Sequence, residues 1–380
     1  MLKTLSQQKL NAEVAVVMGT RPGIIKFAPI IKELERRGVP FHIIHSGQHY
    51  SYNMDRMFFE ELRLPEPRFA IQGVSEKPTH GGQTAVMLEG IEAALLEARP
   101  RVVMVDGDAN TNLAGGLAGR KLGLVVVHLE AGNRSRDWSM PEEHNRVILD
   151  HICDVLYAPT QPAVDNLRHE NVNGEILLTG NTIVDSVLYA RGLSETGPSV
   201  MERLNLTKGR FALFTSHREE NVDVPSRLAH VPTMLGQIVE AGGPGFQVVF
   251  PMHPRTRLRL TEAGMLDQVK AIEGVQAIEP LGYVDLIRLT GDAAWVFTDS
   301  GGIQEEACIL QTPCVTLRDN TERPETVSVG ANIVAGYGEN TVRLALDFWK
   351  TAPRGWDNPL GDGKASQRVV DNLESLLKAS

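Results

Sequence analysis

Short runs of apolar and β-branched residues alternate with helix-length amphipathic segments along most of the 380-residue chain. This alternation is typical of parallel strands joined by crossover helices. The runs lack a polar face, which indicates a sheet covered by helices on both sides. We predict strands in the first half at Val14–Met18, Phe41–His45, Val102–Val105, Leu124–Leu129, Asp154–Tyr157 and Ile176–Thr179, and in the second half at Phe211–Thr215, Gln247–Phe250, Trp295–Thr298, Cys314–Leu317 and Ile333–Ala335.

The alternation lapses in a polar stretch between about Leu193 and Arg210. We therefore predict two Rossmann-like domains, at 1–190 and 191–362, each with a doubly wound parallel sheet. A last helix at 363–380 is followed by no strand and is expected to return to the first domain. Ligands of such sheets bind outside the carboxyl ends of the strands, so we expect a site in a cleft between the two domains.

Charge and cysteine content exclude several classes of function. The 38 Lys and Arg residues against 47 Asp and Glu give a net charge of −9, and no five like charges adjoin. This balance argues against nucleic acid or an anionic membrane as a partner. No apolar run is long enough for a signal peptide or a membrane span. The three cysteines, Cys153, Cys308 and Cys314, have neither disulfide-framework nor zinc spacing, so we expect a cytoplasmic protein.

Cofactor motifs are absent from the sequence. No GxGxxG follows the first strand, and neither GxxxxGK[ST], GxSxG nor HExxH occurs. His42, His45 and His49 have metal-like spacing, but a strand would direct His42 and His45 to opposite faces. We therefore expect no nicotinamide, no other cofactor and no metal.

Residues with functional chemistry follow the strands of the first domain. The turn Gly19–Gly23 opens a helix and carries Arg21, with Lys26 one turn further on, which suits an anion unless both cations are merely solvated. Asp108, Glu130 and Glu142 follow neighbouring strands or open a helix, and we expect them to converge at one rim. Converging carboxylates raise one another's pKa, so that one serves as an acid and another as a base.

Two other acids nearby, Asp106 and Glu143, are interpreted as helix caps or dipole partners.

The second domain contains a candidate diphosphate-binding motif: Ser300 can cap a helix after the strand Trp295–Thr298, and Gly301 and Gly302 let a ligand approach the backbone. Glu305 and Glu306 follow in the same helix. If one of them contacts ribose hydroxyls, the site binds a nucleotide, and Arg323 becomes a natural additional ligand.

Taken together in order and spacing, nine blocks resemble those of the non-hydrolysing UDP-N-acetylglucosamine 2-epimerases: GTRPGIIKFAPII, SGQHY, DGDANTNLAGGLAGRKLG, HLEAGNRS, MPEEHNR, LLTGNTIVDSV, TSHREEN, PMHPRTR and TDSGGIQEEA with RDNTERPETV. The resemblance runs from about Val14 to about Gly336. It implies an α/β fold of the GT-B type, with two Rossmann-like domains facing across a cleft. It also implies a cytoplasmic homodimer that interconverts UDP-GlcNAc and UDP-ManNAc with no metal or redox cofactor.

The resemblance also assigns residues. Those implied to be catalytic are Asp108, Glu130, Glu142 and His217. Those implied or expected to bind the UDP-sugar substrate are Arg21, Lys26, Arg146, Leu281, Leu286, Ser300, Gly301, Gly302, Glu306 and Arg323.

Three positions depart from the family pattern. Gly23 replaces a usual Glu, Asn133 replaces a usual Leu, and Tyr50 stands where members activated by a second UDP-GlcNAc more often have Arg. The first two differences touch the sugar side, so the exact sugar stays open. Three alternatives remain at this point: a 2-epimerase of a related UDP-sugar, a hydrolysing epimerase, and a GT-B glycosyltransferase. A nucleotide-sugar sensor without activity is disfavoured because the catalytic positions are filled.

Overall fold

The computed structural model describes residues 2–4, 13–48, 52–352 and 355–379. They fall into two compact units: the described residues of Met1–Tyr189 together with Gly361–Ser380, and Ala190–Leu360. Within the described ranges, the helices are all too short or too polar to cross a membrane.

The first unit is built on an eight-stranded sheet, with the strand order β1-β4-β3-β2-β5-β6-β7-β8. Seven strands pair in parallel, and the edge strand β1 pairs antiparallel to β4. The strands are β1 Leu2–Thr4, β2 Val14–Met18, β3 Phe41–His45, β4 Phe69–Ile71, β5 Val102–Asp106, β6 Val125–Leu129, β7 Val155–Ala158 and β8 Glu175–Leu178.

Helices connect these strands, because parallel neighbours require crossover connections. They are α1 Arg21–Arg37, α2 Tyr52–Glu61, α3 His80–Ala98, α4 Asn110–Lys121, α5 Pro141–Ile152, α6 Gln161–His169 and α7 Thr182–Ser194. The strands β2 and β5 are buried at every position, as expected of central strands covered on both faces. They also form the point where the strand order reverses, and ligands of doubly wound sheets bind at that point.

The second unit holds a six-stranded parallel sheet with the order β11-β10-β9-β12-β13-β14. Its strands are β9 Phe211–Thr215, β10 Gln247–Pro251, β11 Val275–Ile278, β12 Trp295–Thr298, β13 Cys314–Thr316 and β14 Asn332–Val334. The order reverses between β9 and β12, so the carboxyl ends of these two strands mark the second expected binding point.

The helices of the second unit include several of only one turn. They are α8 Val200–Arg203, α9 Glu219–Val222, α10 Pro225–Leu228, α11 Val231–Gly242, α12 Pro254–Glu262, α13 Leu266–Lys270, α14 Tyr283–Asp292, α15 Gly301–Ile309, α16 Pro324–Ser328 and α17 Thr341–Thr351.

The last helix, α18 Ala365–Ala379, belongs to the first unit and packs on α1. An oxygen of Asp371 lies 2.6 Å from a guanidinium nitrogen of Arg37. The start of α18 is held by the buried Asp185, which accepts hydrogen bonds from the N–H and hydroxyl of Ser366. The hydroxyl of Tyr157 donates to Asn372 at 2.8 Å.

The predicted strands all occur, with ends that match the prediction or differ from it by one residue, but three more exist. Strands β1 and β4 have only three residues each, too few to show a pattern against the surrounding loops. Strand β11 is half-buried at all four positions because it lies at the edge of its sheet. Short or edge strands therefore carry less of the apolar signal on which the predictions depend.

Candidate functional site

The start of α1, directly after β2, is the first candidate binding feature. The hydroxyl of Thr20 caps this helix and accepts a hydrogen bond from the N–H of Gly23 at 3.3 Å. A Cβ at Gly19 would lie 1.8 Å from the hydroxyl oxygen of Ser46, so a residue with a side chain does not fit. The tight turn places the helix N-terminus and the 44% exposed side chain of Arg21 at the carboxyl end of the central strand β2, an arrangement that favours an anion.

Glu130, the first residue after β6, is held in an unusual backbone conformation. Its φ is +59°, in the left-handed region that costs a residue with a side chain about 1–2 kcal/mol. Its Oε2 lies 2.5 Å from Nζ of Lys26 in α1. The strained backbone and the ion pair together fix the direction of this carboxylate at the carboxyl end of the sheet.

Asp108 lies in the loop after β5 and is paired with Arg146 of α5. The second guanidinium nitrogen of Arg146 lies 2.8 Å from Glu143. The side-chain amide of Asn145 donates to the backbone carbonyl of Asp108 at 2.7 Å and to Asn110 at 3.0 Å. These contacts orient Asp108 from two sides, as a group that transfers protons requires.

Glu142 is half-buried and lies in the first turn of α5. Arg146 is four residues further along, so the two side chains share one face of the helix. The described contacts thus link Asp108 with Arg146, and Lys26 with Glu130, while Glu142 is placed by its helix position.

The interpretation of Asp106 as a helix cap is wrong. The N-cap of α4 is Ala109, whose side chain makes no capping bond, and Asp106 is instead the buried last residue of β5. Burial raises its pKa to about 7 against the opposing charge of Lys26. Asp106 is a candidate functional residue that sequence reasoning missed; the signal was an acid ending a fully apolar strand.

Glu143 does lie in the first turn of α5, but its contacts go further than the helix dipole. It accepts hydrogen bonds from the backbone N–H groups of Ser135 and Arg136, both at 2.9 Å. Burial raises its pKa, but these bonds and Arg146 outweigh burial and lower the pKa to about 2. Glu143 therefore holds the 135–136 loop as a permanent anion.

A buried network beneath this rim holds the loop that carries Asp108. Nδ1 of His128 lies 2.8 Å from Asp150, and its Nε2 lies 2.9 Å from the carbonyl oxygen of Gly107. Asp150 is also paired with Arg134 at 2.7 Å. Burial lowers the pKa of His128, but Asp150 raises it more, so the pKa lies above its ordinary value. This network is not among the predicted site residues, although a histidine and an acid at buried positions are a recognisable signal.

The second binding feature is the start of α15, after β12. Ser300 occupies the N-cap, but its side chain makes no capping bond, contrary to the capping role considered for it. Cβ atoms at Gly301 and Gly302 would meet no atom of the described structure closer than 3.8 Å. Packing within the unit does not require glycine at either position, and small residues there let a ligand approach the backbone N–H groups.

Two glutamates follow in α15 with different surroundings. Glu305 forms an ion pair with Arg323 at 2.8 Å. Glu306 is 7% exposed, and its Oε2 is buried with no hydrogen-bond partner among the described residues. Burial, with the charge of Glu305, raises the pKa of Glu306 to about 8. Glu306 is therefore mostly a neutral carboxylic acid at pH 7, able to donate one hydrogen bond and accept another.

His217 follows β9 and is held by Asp299, which follows β12. Its Nδ1 lies 3.0 Å from Asp299, whose carboxylate also accepts from the backbone N–H groups of His217 and Arg218 and from the side chain of Asn221. Burial raises the pKa of Asp299, but the hydrogen bond with His217 and the other bonds lower it below its ordinary value. An ionised Asp299 can only accept a hydrogen bond, so Nδ1 of His217 carries the donating hydrogen, which fixes the ring and leaves Nε2 as the other nitrogen.

The two predicted apolar contacts lie near this helix. Leu281 and Leu286 are half-buried and pack against a core cluster that contains Ile303 and Ala307 of α15. They border the helix without contributing polar groups.

His49 and Tyr50, on which the metal-like spacing and the activator comparison depend, lie outside the described residues. Among the residues that are described, no three His, Cys, Asp or Glu side chains are grouped so that they could hold a metal ion.

Comparison with known proteins places these features in a family. The family model of UDP-N-acetylglucosamine 2-epimerase matches residues 32–374. The chain is 46% identical to the UDP-N-acetylglucosamine 2-epimerase of Methanocaldococcus jannaschii, over 94% of this chain and 98% of the relative. It is 37% identical to the UDP-2,3-diacetamido-2,3-dideoxy-D-glucuronate 2-epimerase of Pseudomonas aeruginosa, over 96% of this chain and all of the relative.

Among solved structures, the M. jannaschii UDP-GlcNAc 2-epimerase in complex with UDP-GlcNAc and UDP superimposes with a TM-score of 0.78, at 45% identity and over 95% of this chain and 99% of that one.

Two Rossmann-like units, each with functional groups at its strand-order reversal, define a GT-B-type α/β protein with the groups that nucleotide-sugar enzymes use. The predicted fold class is confirmed. The chain belongs to the UDP-N-acetylglucosamine 2-epimerase family, and is thus an enzyme of the UDP-sugar 2-epimerase class, as the resemblance implies.

Proposed function

We propose that the protein interconverts UDP-GlcNAc and UDP-ManNAc without net hydrolysis, in the cytoplasm and as a homodimer. The observation that carries the nucleotide part is the start of α15, where a helix N-terminus lies beside two glycines with open space around them, and where Oε2 of Glu306 is buried with no hydrogen-bond partner among the described residues. The M. jannaschii relative, 46% identical, bears the UDP-N-acetylglucosamine 2-epimerase name, and a solved structure of the UDP-GlcNAc 2-epimerase of that organism is in complex with UDP-GlcNAc and UDP. The three cysteines are buried and free, as expected in a reducing compartment.

The chemistry requires an elimination. The hydrogen at C2 of the sugar is not acidic, because no carbonyl adjoins it. If UDP leaves C1 while C2 is deprotonated, a glycal forms, and re-addition of UDP with protonation on the opposite face gives the epimer. This route needs no electron acceptor, and it demands a stabilised leaving group and at least two proton-transfer groups.

Binding of the leaving group is proposed for the second unit, with help from Arg21. The diphosphate gains negative charge as it departs, so the helix N-terminus at Ser300–Gly302, Arg323 and His217 would stabilise it where that charge develops. Glu306, as a neutral acid, would hydrogen-bond the ribose hydroxyls.

Proton transfer at C2 is proposed for the carboxylates of the first unit. Protons must leave one face and arrive at the other, so at least two of Asp108, Glu130 and Glu142 must act. Lys26 keeps Glu130 in place and Arg146 does the same for Asp108, which supports their assignment to these roles.

The substrate test is an NMR assay of the protein with UDP-GlcNAc alone. We expect UDP-ManNAc to appear with little free UDP. Release of free ManNAc and UDP in step would instead show a hydrolysing epimerase, and no reaction without an acceptor would favour a glycosyltransferase.

The residue test uses Asp108→Asn and Glu142→Gln. Each should keep UDP affinity, because the proposed UDP site lies in the other unit, but lower turnover by at least about 10²-fold. Asp165→Asn, which removes an exposed acid of the same unit, is the control and should retain activity. Wild-type turnover in Asp108→Asn or Glu142→Gln would remove that residue from the mechanism.

A second substrate has support from one relative. The P. aeruginosa protein, 37% identical, is named for UDP-2,3-diacetamido-2,3-dideoxy-D-glucuronate, and Gly23 and Asn133 change the sugar side of the family pattern. A panel of UDP-sugars that differ at C3 and C6 decides between the two: faster turnover of the diacetamido uronate than of UDP-GlcNAc would reassign the substrate.

A further inference from the structure

His128 is a buried histidine of β6 whose two ring nitrogens both face hydrogen-bond acceptors. The residue is 1% exposed. Its Nδ1 lies 2.8 Å from Oδ1 of Asp150, and its Nε2 lies 2.9 Å from the carbonyl oxygen of Gly107. A carbonyl oxygen can only accept a hydrogen bond, so Nε2 must carry a hydrogen to make this contact.

The surroundings of Asp150 indicate that Nδ1 carries a hydrogen as well. Oδ2 of Asp150 accepts a hydrogen bond from the N–H of Gly132 at 3.0 Å and forms an ion pair with Arg134 at 2.7 Å. Burial raises the pKa of Asp150, but His128 and Arg134 outweigh burial and hold this pKa below its ordinary value. An ionised carboxylate can only accept, so both hydrogen bonds of His128 are made together only by the doubly protonated, positively charged ring.

The charged groups around this ring come from four elements. Asp150 on α5 and Asp106 at the end of β5 both favour the positive ring. Arg134, in the loop after β6, is shared between Asp150 and Glu170 after α6, with the second pair at 2.6 Å. A buried charge is tolerated when it is paired and hydrogen-bonded, and His128 meets both conditions.

The acceptor of Nε2 belongs to the peptide that joins Gly107 to Asp108. Gly107 has φ +72°, and its N–H donates to the carbonyl oxygen of Leu129 at 3.0 Å. The N–H and the carbonyl of Gly107 are thus both tied to β6, one through the backbone and the other through the side chain of His128. Because a peptide is planar, fixing this carbonyl also fixes the direction in which the chain enters Asp108.

The other contacts of Asp108 come from a different element. The side-chain amide of Asn145 donates to the carbonyl oxygen of Asp108 at 2.7 Å, and Arg146 is paired with its carboxylate. Both of these residues lie on α5, whereas His128 holds the preceding peptide from β6. Glu130 follows directly after β6, so the bond from His128 to Gly107 fixes the loop of Asp108 relative to the strand that carries Glu130.

We propose that His128 is a positioning residue: a buried imidazolium at neutral pH that donates from both ring nitrogens and thereby fixes the Gly107–Asp108 peptide relative to β6. Its effect on catalysis rests on the proposed function, in which Asp108 is one of the proton-transfer groups. His128 exchanges no proton with the substrate in this scheme. A neutral ring has one hydrogen, so its formation would leave either the Gly107 carbonyl or Asp150 without this donor.

The first experiment needs no substrate. Nitrogen-15 NMR of protein labelled at histidine distinguishes protonated from unprotonated ring nitrogens, and His128→Gln or His128→Asn identifies the signals of His128. We expect both nitrogens of His128 to be protonated at pH 7.5, where a histidine with a pKa near 6.5 is mostly neutral. His169→Gln, which removes an exposed histidine of the same unit, should leave these signals unchanged. A wild type with no doubly protonated ring at pH 7.5, or with an unprotonated nitrogen on His128, would overturn the proposal.

The second experiment compares two variants that each keep one of the two donors. The amide nitrogen of Asn can take the place of Nδ1, and that of Gln the place of Nε2. His128→Gln thus keeps a donor for the Gly107 carbonyl, and should retain most of the turnover of UDP-GlcNAc. His128→Asn keeps a donor only for Asp150, and should lower kcat by about 10-fold or more, because small misplacements of a catalytic group are costly. UDP affinity and KM should change little in both variants, because the proposed UDP site lies in the other unit.

Equal kcat values in the two variants, or a loss confined to KM, would overturn the positioning role, since a merely structural role does not distinguish the two donors. The wild type gives a check that needs no variant: kcat should fall by the pH at which NMR shows His128 losing one hydrogen. A kcat that persists unchanged above that pH would also overturn the positioning role. If the wild type makes no epimer, the proposed function fails, while the NMR result still decides whether His128 is a buried cation.

Discussion

Replacing Glu306 with Gln should make the protein more stable at neutral and alkaline pH, while removing a group proposed to bind ribose. The carboxyl is 7% exposed, one oxygen has no partner among the described residues, and its pKa is raised from 4.5 to about 8. Because the pKa of this carboxyl is higher in the folded state than in the unfolded chain, protonation favours folding. Below about pH 4.5 Glu306 is protonated in both the folded and the unfolded chain, so it does not lower the free energy of unfolding. That free energy falls as the pH rises from about 4.5 to about 8, because the unfolded chain then ionises more readily than the folded one.

The magnitude follows from the same values. In the unfolded chain Glu306 would be ionised at pH 7, and keeping it protonated in the folded state costs about 1.4 kcal/mol for each pH unit above 4.5, or about 3 kcal/mol. Above pH 8 the cost levels off near about 5 kcal/mol. Gln avoids it at every pH because it carries no charge.

The assay is urea unfolding of wild type and Glu306→Gln at pH 5 and pH 8. We expect a small difference at pH 5 and a variant that is more stable by several kcal/mol at pH 8. Glu202→Gln, which replaces an exposed glutamate of the same unit, should show no such pH dependence. Equal stability of Glu306→Gln and wild type at pH 8 would refute the argument that this carboxyl is buried and unsatisfied.

Three further predictions test the packing and the UDP site. Gly132 has φ +82°, and a Cβ there would lie 2.3 Å from the carbonyl oxygen of Ala163, whereas Gly38 has φ +70° with open space around it. Thermal unfolding should show that Gly38→Ala lowers the free energy of unfolding by about 1–2 kcal/mol and that Gly132→Ala lowers it clearly more. Equal losses in the two variants would contradict the steric argument. Asp150→Asn should cost about 3–5 kcal/mol, measured by urea unfolding, because it leaves a buried cationic network uncompensated; a loss below 1 kcal/mol would contradict this. Gly301→Ala should keep or slightly raise stability, since alanine favours helix, but weaken UDP binding about tenfold or more in calorimetry; unchanged affinity would exclude close approach of the diphosphate.

Much of the fold was predictable because the sheets are parallel and their central strands are apolar on both faces. The runs Val14–Met18 and Phe211–Thr215 are unmistakable for that reason, and the chemical residues directly after them mark the carboxyl ends where ligands of such folds bind. The edge strand Val275–Ile278 was not predictable, because its four residues are only half-buried at the edge of the sheet and its apolar pattern is therefore weak.

The chemical state of individual acids was beyond the sequence. Asp106 and Asp108 flank one glycine and look alike, but Oδ1 of Asp106 is buried with no hydrogen-bond partner in the described part of the chain, while Asp108 is paired with Arg146. Glu305 and Glu306 are adjacent, yet Glu305 pairs with Arg323 while Oε2 of Glu306 has no hydrogen-bond partner among the described residues. Such differences depend on register and helix phase, which place one acid in the core and its neighbour at the rim.

The central claim, reversible departure of UDP with proton exchange at C2, is tested most directly by incubating the protein with UDP-GlcNAc in D₂O and locating deuterium by NMR and mass spectrometry. We expect one deuterium at C2 of the UDP-ManNAc formed, and no incorporation in Asp108→Asn. Epimer that forms with only hydrogen at C2, or deuterium that appears at another carbon, would contradict the elimination and re-addition proposed for this enzyme.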